Sequence, residues 1–358
     1  MSVDFFRGVV MFLLIAEATG LYSVLAVPSL QGTVFGWLGT EFQHVPWYGL
    51  HLWDLGQPFF MFISGVAMAF SYRKRWEEGA RWTVTLRQAL VRSLWLFVFG
   101  WLIYAVNPPE GSFPGAFLYD VLPQLSLAYL VAFLVMRRTP AFRISVSLGL
   151  LVLTELLYRL WWIPGFDQPF TPGHNFGSYI DRLLIGRLSP DNWVAFNAVP
   201  MIALTIWGTL AGERFKSKAS PARKLWGFVL LGLIGAGAGL ALDPITPIVR
   251  RIATSSFVIE TGGLCLLALA LAYGVVDVLG LRKPALFFAV VGMNSLFIYI
   301  FTQTGGADWL WKIAMPFGSG LFGWAGQRAG LAATSLIVLG LLWGLCYWLY
   351  RRMIFIRL

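Results

Sequence analysis

The sequence predicts an all-α, polytopic integral membrane protein of about ten transmembrane helices with both termini on the cytoplasmic side. Three observations predict it. Hydrophobic residues make up 58% of the 358-residue chain and charged residues only 12%, with a mean hydropathy of +0.71, more apolar character than a water-soluble domain can bury. Apolar runs of roughly 20 residues, the length that crosses a bilayer, recur from one end to the other. Basic residues gather between alternate runs, as cytoplasmic loops do.

In chain order the expected spans are 9–27, 52–71, 87–106, 117–136, 144–163, 193–212, 225–242, 254–276, 285–303 and 331–350. All should be helices, because lipid offers no partner to an unpaired backbone group. The first follows "MSVDFFRG", with acidic Asp4 and no basic leader, so no cleaved signal peptide is expected. The second opens behind Asp54, where a carboxylate suits the positive end of a helix dipole, and Pro58 a turn later either tolerates that start or kinks it. Spans 225–242 and 331–350 are rich in glycine and read as close-packing helices. Within the former, "GLIGAGAGLAL" superficially resembles a dinucleotide loop, but no strand precedes it. The whole chain, 1–358, reads as a single membrane domain ending in helix 331–350.

Alternating the spans puts Arg7, "RKRWEEGARW" with Arg87 and Arg92, "RRTPAFR", "ERFKSKASPARK", "LRKP" and "RRMIFIR" on one side, about 20 of the 27 basic residues. The opposite side carries the longer connections 28–51, 107–116, 164–192, 243–253 and 304–330, rich in Pro, Gly, Trp and Asn. That composition suits a recognition surface. The net charge of +10 is accounted for by topology, and nucleic acid is not an expected partner because the basic residues form no aromatic-interleaved stripe. Cys265 and Cys346 each lie in an apolar run without metal-ligand neighbours, so neither a disulfide nor a metal site is expected.

The stretch "TEFQHVPWYGLHLWDLGQPFFMFISG" places titratable groups against an apolar run at the outer end of the second span. Trp47 and Tyr48 suit the membrane interface. An imidazole with an unperturbed pKa near 6.5 can take and return a proton, and a neighbouring carboxylate can fix its tautomer. His44 with Asp54 therefore reads either as a general base with its orienter, or as an interfacial histidine beside a helix-start carboxylate. His51, three residues before Asp54, is a rival for the same carboxylate. His174, in "TPGHNFG", reads as a solvated loop residue.

Elsewhere, Glu17 and Glu260 are carboxylates inside apolar runs, which tend to face a protein interior or an aqueous cavity. Glu155 is neutralised by Arg159 four residues on and reads as structural. Asn197 and Asn294 are amides suited to bridging helices or meeting a donor. Arg250 and Arg251 stand at the outer end of a span, against the positive-inside trend, and call for an anionic group or a buried carboxylate.

These residues carry a resemblance. Gln43-His44, Trp47, Gly49, Asp54-Leu55, Pro58, Phe60, Phe62 and Gly65, with the opening "SVDFFRGVVMFLL", resemble the heparan-α-glucosaminide N-acetyltransferase family and its bacterial relatives. "SPDNWVAFNAVPMIALTIWGTLAGE", "RRIATSSFVIETGG" and "FFAVVGMNSLFIYI" follow in the same order, so the likeness runs over 2–303. It implies transfer of an acetyl group from cytoplasmic acetyl-CoA to an amino sugar on the outer side of a membrane, a bacterial inner (plasma) membrane here, with a homodimer as the expected assembly. The family's histidine maps onto His44, and its aspartate ten residues on maps onto Asp54. On this basis Glu17, Trp47, Arg251 and Glu260 are expected to bind the acceptor, and Arg7, Ser256 and Asn294 the acetyl-CoA donor, with no metal. The sequence departs from the family in two places. "LLIAEATGLY" has Glu17 and Ala18 where the animal enzyme has an asparagine, and "LPQLSLAY" lacks the arginine of "LQRIAL". A sugar permease and an O-acetyltransferase of a cell-envelope glycan are the competing expectations.

Overall fold

The computed structural model describes residues 1–356; Arg357, the last basic residue of "RRMIFIR", lies outside them. The chain is 75% helix, with no strand among the described residues. In chain order the α-helices are α1 (Ser2–Ala18), α2 (Leu21–Leu25), α3 (Val34–Glu41), α4 (Gly56–Glu77), α5 (Trp82–Val106), α6 (Val121–Val135), α7 (Pro140–Leu160), α8 (Phe176–Leu184), α9 (Ala198–Lys216), α10 (Pro221–Leu242), α11 (Ser255–Tyr273), α12 (Arg282–Met293), α13 (Ser295–Phe301), α14 (Ala307–Phe322) and α15 (Gln327–Arg351).

Seven helical segments are long and apolar enough to cross a membrane, or eight when the bent pair Arg282–Met293 and Ser295–Ala325, angled at 60°, is taken as one span. These correspond to eight of the ten expected spans. The other two fall short for physical reasons. The expected span 9–27 is broken at Gly20, whose φ of +75° ends α1 after 17 residues and starts the five-residue α2. The expected span 117–136 holds only the 15-residue α6, because Asp120 caps it by accepting the Leu122 N–H at 2.9 Å. Conversely, the expected connections 28–51, 164–192 and 304–330 contain α3, α8 and α14. Pro58 sits in the first turn of α4, where its missing N–H costs no intrahelical bond, and it does not divide the span Leu52–Glu77.

Although the sequence reads as one membrane domain, the chain divides into two compact units that interleave along it. The first comprises Met1–His44, His51–Gly56 and Val275–Leu358. In it α1 packs chiefly on α12, and α14 on α15. The approach of α1 to α12 depends on Gly8, where a Cβ would lie 2.0 Å from the Phe288 carbonyl oxygen. Trp311 Nε1 and Ser335 Oγ both donate to the Thr19 carbonyl, at 3.0 and 2.8 Å, tying the C-terminal end of α1 to α14 and α15.

The second unit comprises Val45–Leu50 and Gln57–Gly274. Its α7 and α10 begin with the same device: Thr139 and Ser220 cap the helices and Pro140 and Pro221 occupy the first position. The α10–α11 hairpin is held backbone to backbone, since a Cβ on Gly263 would lie 2.1 Å from the Ala236 nitrogen. The glycine reading of 225–242 thus corresponds to real close approach. Helix α15 also approaches its neighbour closely, but through Gly318 of α14, where a Cβ would lie 2.7 Å from the Thr334 nitrogen, and not through Gly340 or Gly344, which have nothing within 4 Å. Around α10 the side chains of Leu230, Leu231, Leu233 and Ile234 are all exposed, an apolar surface that lipid would cover. These long apolar helices are consistent with a multi-pass membrane protein.

Candidate functional site

In the first unit, the chain from α3 to α4 passes through a tight 3₁₀ turn, Leu52–Leu55, before α4 begins. Asp54 closes that turn, donating its N–H to the His51 carbonyl at 3.0 Å while its Oδ2 accepts the His51 N–H at 2.9 Å. The other oxygen, Oδ1, meets His44 Nδ1 at 2.9 Å. Asp54 is 1% exposed, whereas His44 is 36% exposed. A buried carboxylate anchored by its own turn thus holds an accessible imidazole.

His51 does not compete for that carboxylate with its ring. Its Nδ1 faces the Gln43 carbonyl at 2.9 Å, and it is the His51 backbone N–H that reaches the Asp54 carboxylate. Gln43 and His51 thereby pin the loop that carries His44. Glu41 assists by accepting the Leu52 N–H at 3.1 Å. When His44 Nδ1–H donates to Asp54 Oδ1, the imidazole is held in the tautomer whose Nε2 is the basic nitrogen.

A residue that the sequence reading passed over joins Glu17 to this pair. Trp53 donates its indole N–H to Glu17 Oε1 at 2.7 Å, and its ring lies roughly parallel to the His44 imidazole, centroids 6.3 Å apart at 25°. Phe42 and Tyr22 complete the support. Tyr22 stacks on Phe42 at 4.3 Å and meets Trp53 edge-on at 5.4 Å. Glu17 and His44 are both exposed and flank the buried Trp53. The pattern that marks Trp53 is its position beside Asp54, but its partner lies 36 residues away and no local periodicity links them.

The other expected site residues are placed as follows. Arg7 lies ten residues before Glu17 on α1, about 15 Å along the axis at the usual helical rise. Asn294 is fully buried, its Nδ2 donating to the Ile354 carbonyl at 3.0 Å and its Oδ1 accepting the Ile356 N–H at 2.9 Å. That amide ties down the C-terminal segment. Within the second unit, Trp47 is buried with Tyr158, Phe176, Val194, Val249 and Ile252, and its Nε1 donates to the Phe170 carbonyl at 2.8 Å. Arg251 donates to the Asp191 carbonyl, and the Arg251 carbonyl accepts the Asn197 amide at 3.2 Å. Arg250 lies over the Trp193 ring at 4.5 Å.

Ser256 is buried against Thr254, with Oγ to Oγ1 at 3.1 Å. Glu260 is buried on α11 against Gly239 of α10, and its Oε2 has no hydrogen-bond partner. Glu155 pairs with Arg159 at 2.5 Å and also accepts from Thr246 at 2.6 Å. His174 is exposed, with Nδ1 on the Gly165 carbonyl at 2.9 Å.

A separate polar cluster lies on α8, outside the long apolar helices. Asp181 is fully buried, and its Oδ1 accepts the Ala195 N–H at 3.0 Å. Burial pushes its carboxyl up to about 7, against the opposing help of the Ala195 N–H and the Tyr119 hydroxyl. The Tyr119 phenol is raised in turn, by burial first and then by the Asp181 charge.

Among the described residues no group of three or more His, Cys, Asp or Glu side chains converges as a metal site would. The arrangement in the first unit can accept a proton at His44, with Asp54 fixing the tautomer and the Glu17 carboxyl held by the Trp53 indole. No family model matches the chain, and no curated protein matches it.

Proposed function

We propose that the protein is a transmembrane acetyltransferase that moves an acetyl group from cytoplasmic acetyl-CoA to a glucosamine-type amino sugar on the outer side of a bacterial inner membrane. The observation that carries this reading is the buried Asp54 carboxylate held 2.9 Å from Nδ1 of the accessible His44. The resemblance of the surrounding sequence to the heparan-α-glucosaminide N-acetyltransferase family supports it.

In the proposed reaction His44 Nε2 takes the proton from the attacking amine as the new N–C bond forms at the thioester carbonyl. The C–S bond breaks, and the thiolate of CoA leaves with access to that proton. Asp54 steadies the imidazolium that forms in between. Glu17, which accepts the Trp53 indole N–H, is the proposed contact for the ammonium form of the sugar before it gives up its proton. Arg7, on the end of α1 that the charge pattern assigns to the cytoplasm, is the proposed contact for donor phosphates. Trp47 and Asn294, whose polar groups are committed to the Phe170 carbonyl and to the C-terminal backbone, and Arg251, Glu260 and Ser256 of the second unit, enter no step of this scheme. The assembly proposed from the resemblance is a homodimer.

The test uses proteoliposomes containing the full chain, with acetyl-labelled acetyl-CoA and glucosamine on opposite sides of the membrane. Label recovered on glucosamine is the expected result. Passage of unmodified glucosamine without acetylation would overturn the enzyme assignment in favour of a permease, and label on sugar hydroxyls would shift it to O-acetylation.

A further inference from the structure

The basic cluster "RKRWEEGARW" and the helices that follow it hold a feature that the His44 site does not use. At the C-terminal end of α4, Tyr72 and Trp76 lie roughly parallel, centroids 6.0 Å apart at 27°. Tyr129 of α6 donates its hydroxyl to the Tyr72 hydroxyl at 3.0 Å, deep in the second unit. Three guanidiniums rest on this one aromatic surface: Arg92 of α5 over Tyr129 at 4.9 Å, Arg75 over Tyr72 at 5.7 Å, and Arg137, just beyond α6, over Trp76 at 5.6 Å.

None of the three forms an ion pair among the described residues. The nearby carboxylates of Glu77 and Glu78 are paired instead with Arg73 and Lys74. Arg75 also donates to the Gln88 side-chain oxygen. The Arg92 Nε is buried and has no acceptor. A desolvated cationic donor without an acceptor is unfavourable, and an anion would complete it. Guanidiniums stacked on aromatic faces keep their N–H edges free, the arrangement that suits planar, bidentate recognition of phosphate oxygens. A solvated positive-inside cluster would need no aromatic floor and no buried donor.

We propose that Arg75, Arg92 and Arg137 form a phosphate-binding basin for the adenosine bisphosphate end of the donor coenzyme, an inference that rests on the acetyl-CoA reading above. The basin lies on the side that the charge pattern makes cytoplasmic, where such a donor is found. It is distinct from Arg7, which belongs to the first unit.

The test is equilibrium binding of CoA, adenosine 3′,5′-bisphosphate and pantetheine to the full-length protein in a neutral detergent free of anionic lipid. Turnover of acetyl-CoA and acetyl-pantetheine is followed in parallel. Arg75 and Arg137 are exposed, so the Arg75→Gln/Arg137→Gln variant should keep its unliganded thermal midpoint, while Arg92→Lys keeps the charge but loses the planar fork. The expected result is a Kd for CoA and for the bisphosphate raised about tenfold or more in both variants, with acetyl-pantetheine turnover unchanged.

Unchanged CoA affinity in folded variants would overturn the basin. So would arginine-dependent stabilisation by added phosphatidylglycerol with no response to the bisphosphate, since the ligand would then be a lipid headgroup. Transfer from acetyl-CoA with an unaltered KM in the variants would sink the basin and leave the acetyltransferase intact. Arginine-dependent bisphosphate binding without any transfer would do the reverse.

Discussion

Asp54 serves two donors at once, the His44 ring at Oδ1 and the His51 backbone at Oδ2, each at 2.9 Å. An asparagine has one acceptor oxygen, so Asp54→Asn must leave one of those donors facing an NH₂ group. If the loop keeps its turn, His44 loses the partner that fixes its tautomer. Turnover should then fall by about 10²–10⁴-fold, with a stability loss of about 1–3 kcal/mol from the unmet donor. Steady-state kinetics beside thermal unfolding of the same sample checks this, and full turnover would remove Asp54 from the mechanism. The His44–Asp54 pairing was legible as one of two readings, because the nine intervening residues include Pro46 and Gly49, which oppose regular helix. The Glu17–Trp53 hydrogen bond was not, because a side-chain contact across 36 residues leaves no periodic trace. Nor were the commitments of Asn294 to the C-terminal backbone and of Trp47 to the Phe170 carbonyl, which depend on where distant backbone comes to rest.

At the scale of elements, α8 depends on a carboxyl that titrates near neutrality. Asp181 fastens the helix to Ala195, at the entry to α9, and burial raises its pKa from 3.8 to about 7. The folded state therefore holds a proton that the unfolded chain has released, at every pH between those values. Stability from this group is fully present below the unfolded value and is lost as pH rises through about 7. The thermal midpoint of the wild type should fall between about pH 5 and pH 8 relative to that of Asp181→Asn, which carries no titrating proton. Parallel midpoints for the two proteins across that range would contradict the assignment.

Most helices were legible from hydropathy alone, and those that were missed have identifiable causes. The helix α14 hides in an expected loop because Asp308, Lys312 and Pro316 interrupt its apolar run. The first expected span runs past Gly20, whose left-handed conformation hydropathy does not register.

For the whole molecule, the exposed apolar side chains and the segregation of basic residues make one coherent claim about orientation. The native cysteines, Cys265 and Cys346, are both buried and should stay silent to polar thiol reagents. Lys218→Cys, in the connection between α9 and α10, is expected to react only from the cytoplasmic side, and Asp167→Cys, before α8, only from the outer side. Labelling of both from one side would refute the alternating topology. The division into two compact units was not visible in the sequence, because three of its boundaries fall between His44 and Gln57, inside the motif-bearing stretch, and the fourth at Gly274, directly after α11. The central claim, that His44 carries the proton of acetyl transfer, is tested most directly by measuring label passed from acetyl-CoA to glucosamine by His44→Ala and by wild type in matched proteoliposomes. A loss of about 10²-fold or more in a folded variant is the predicted result, and transfer at the wild-type rate would contradict the account.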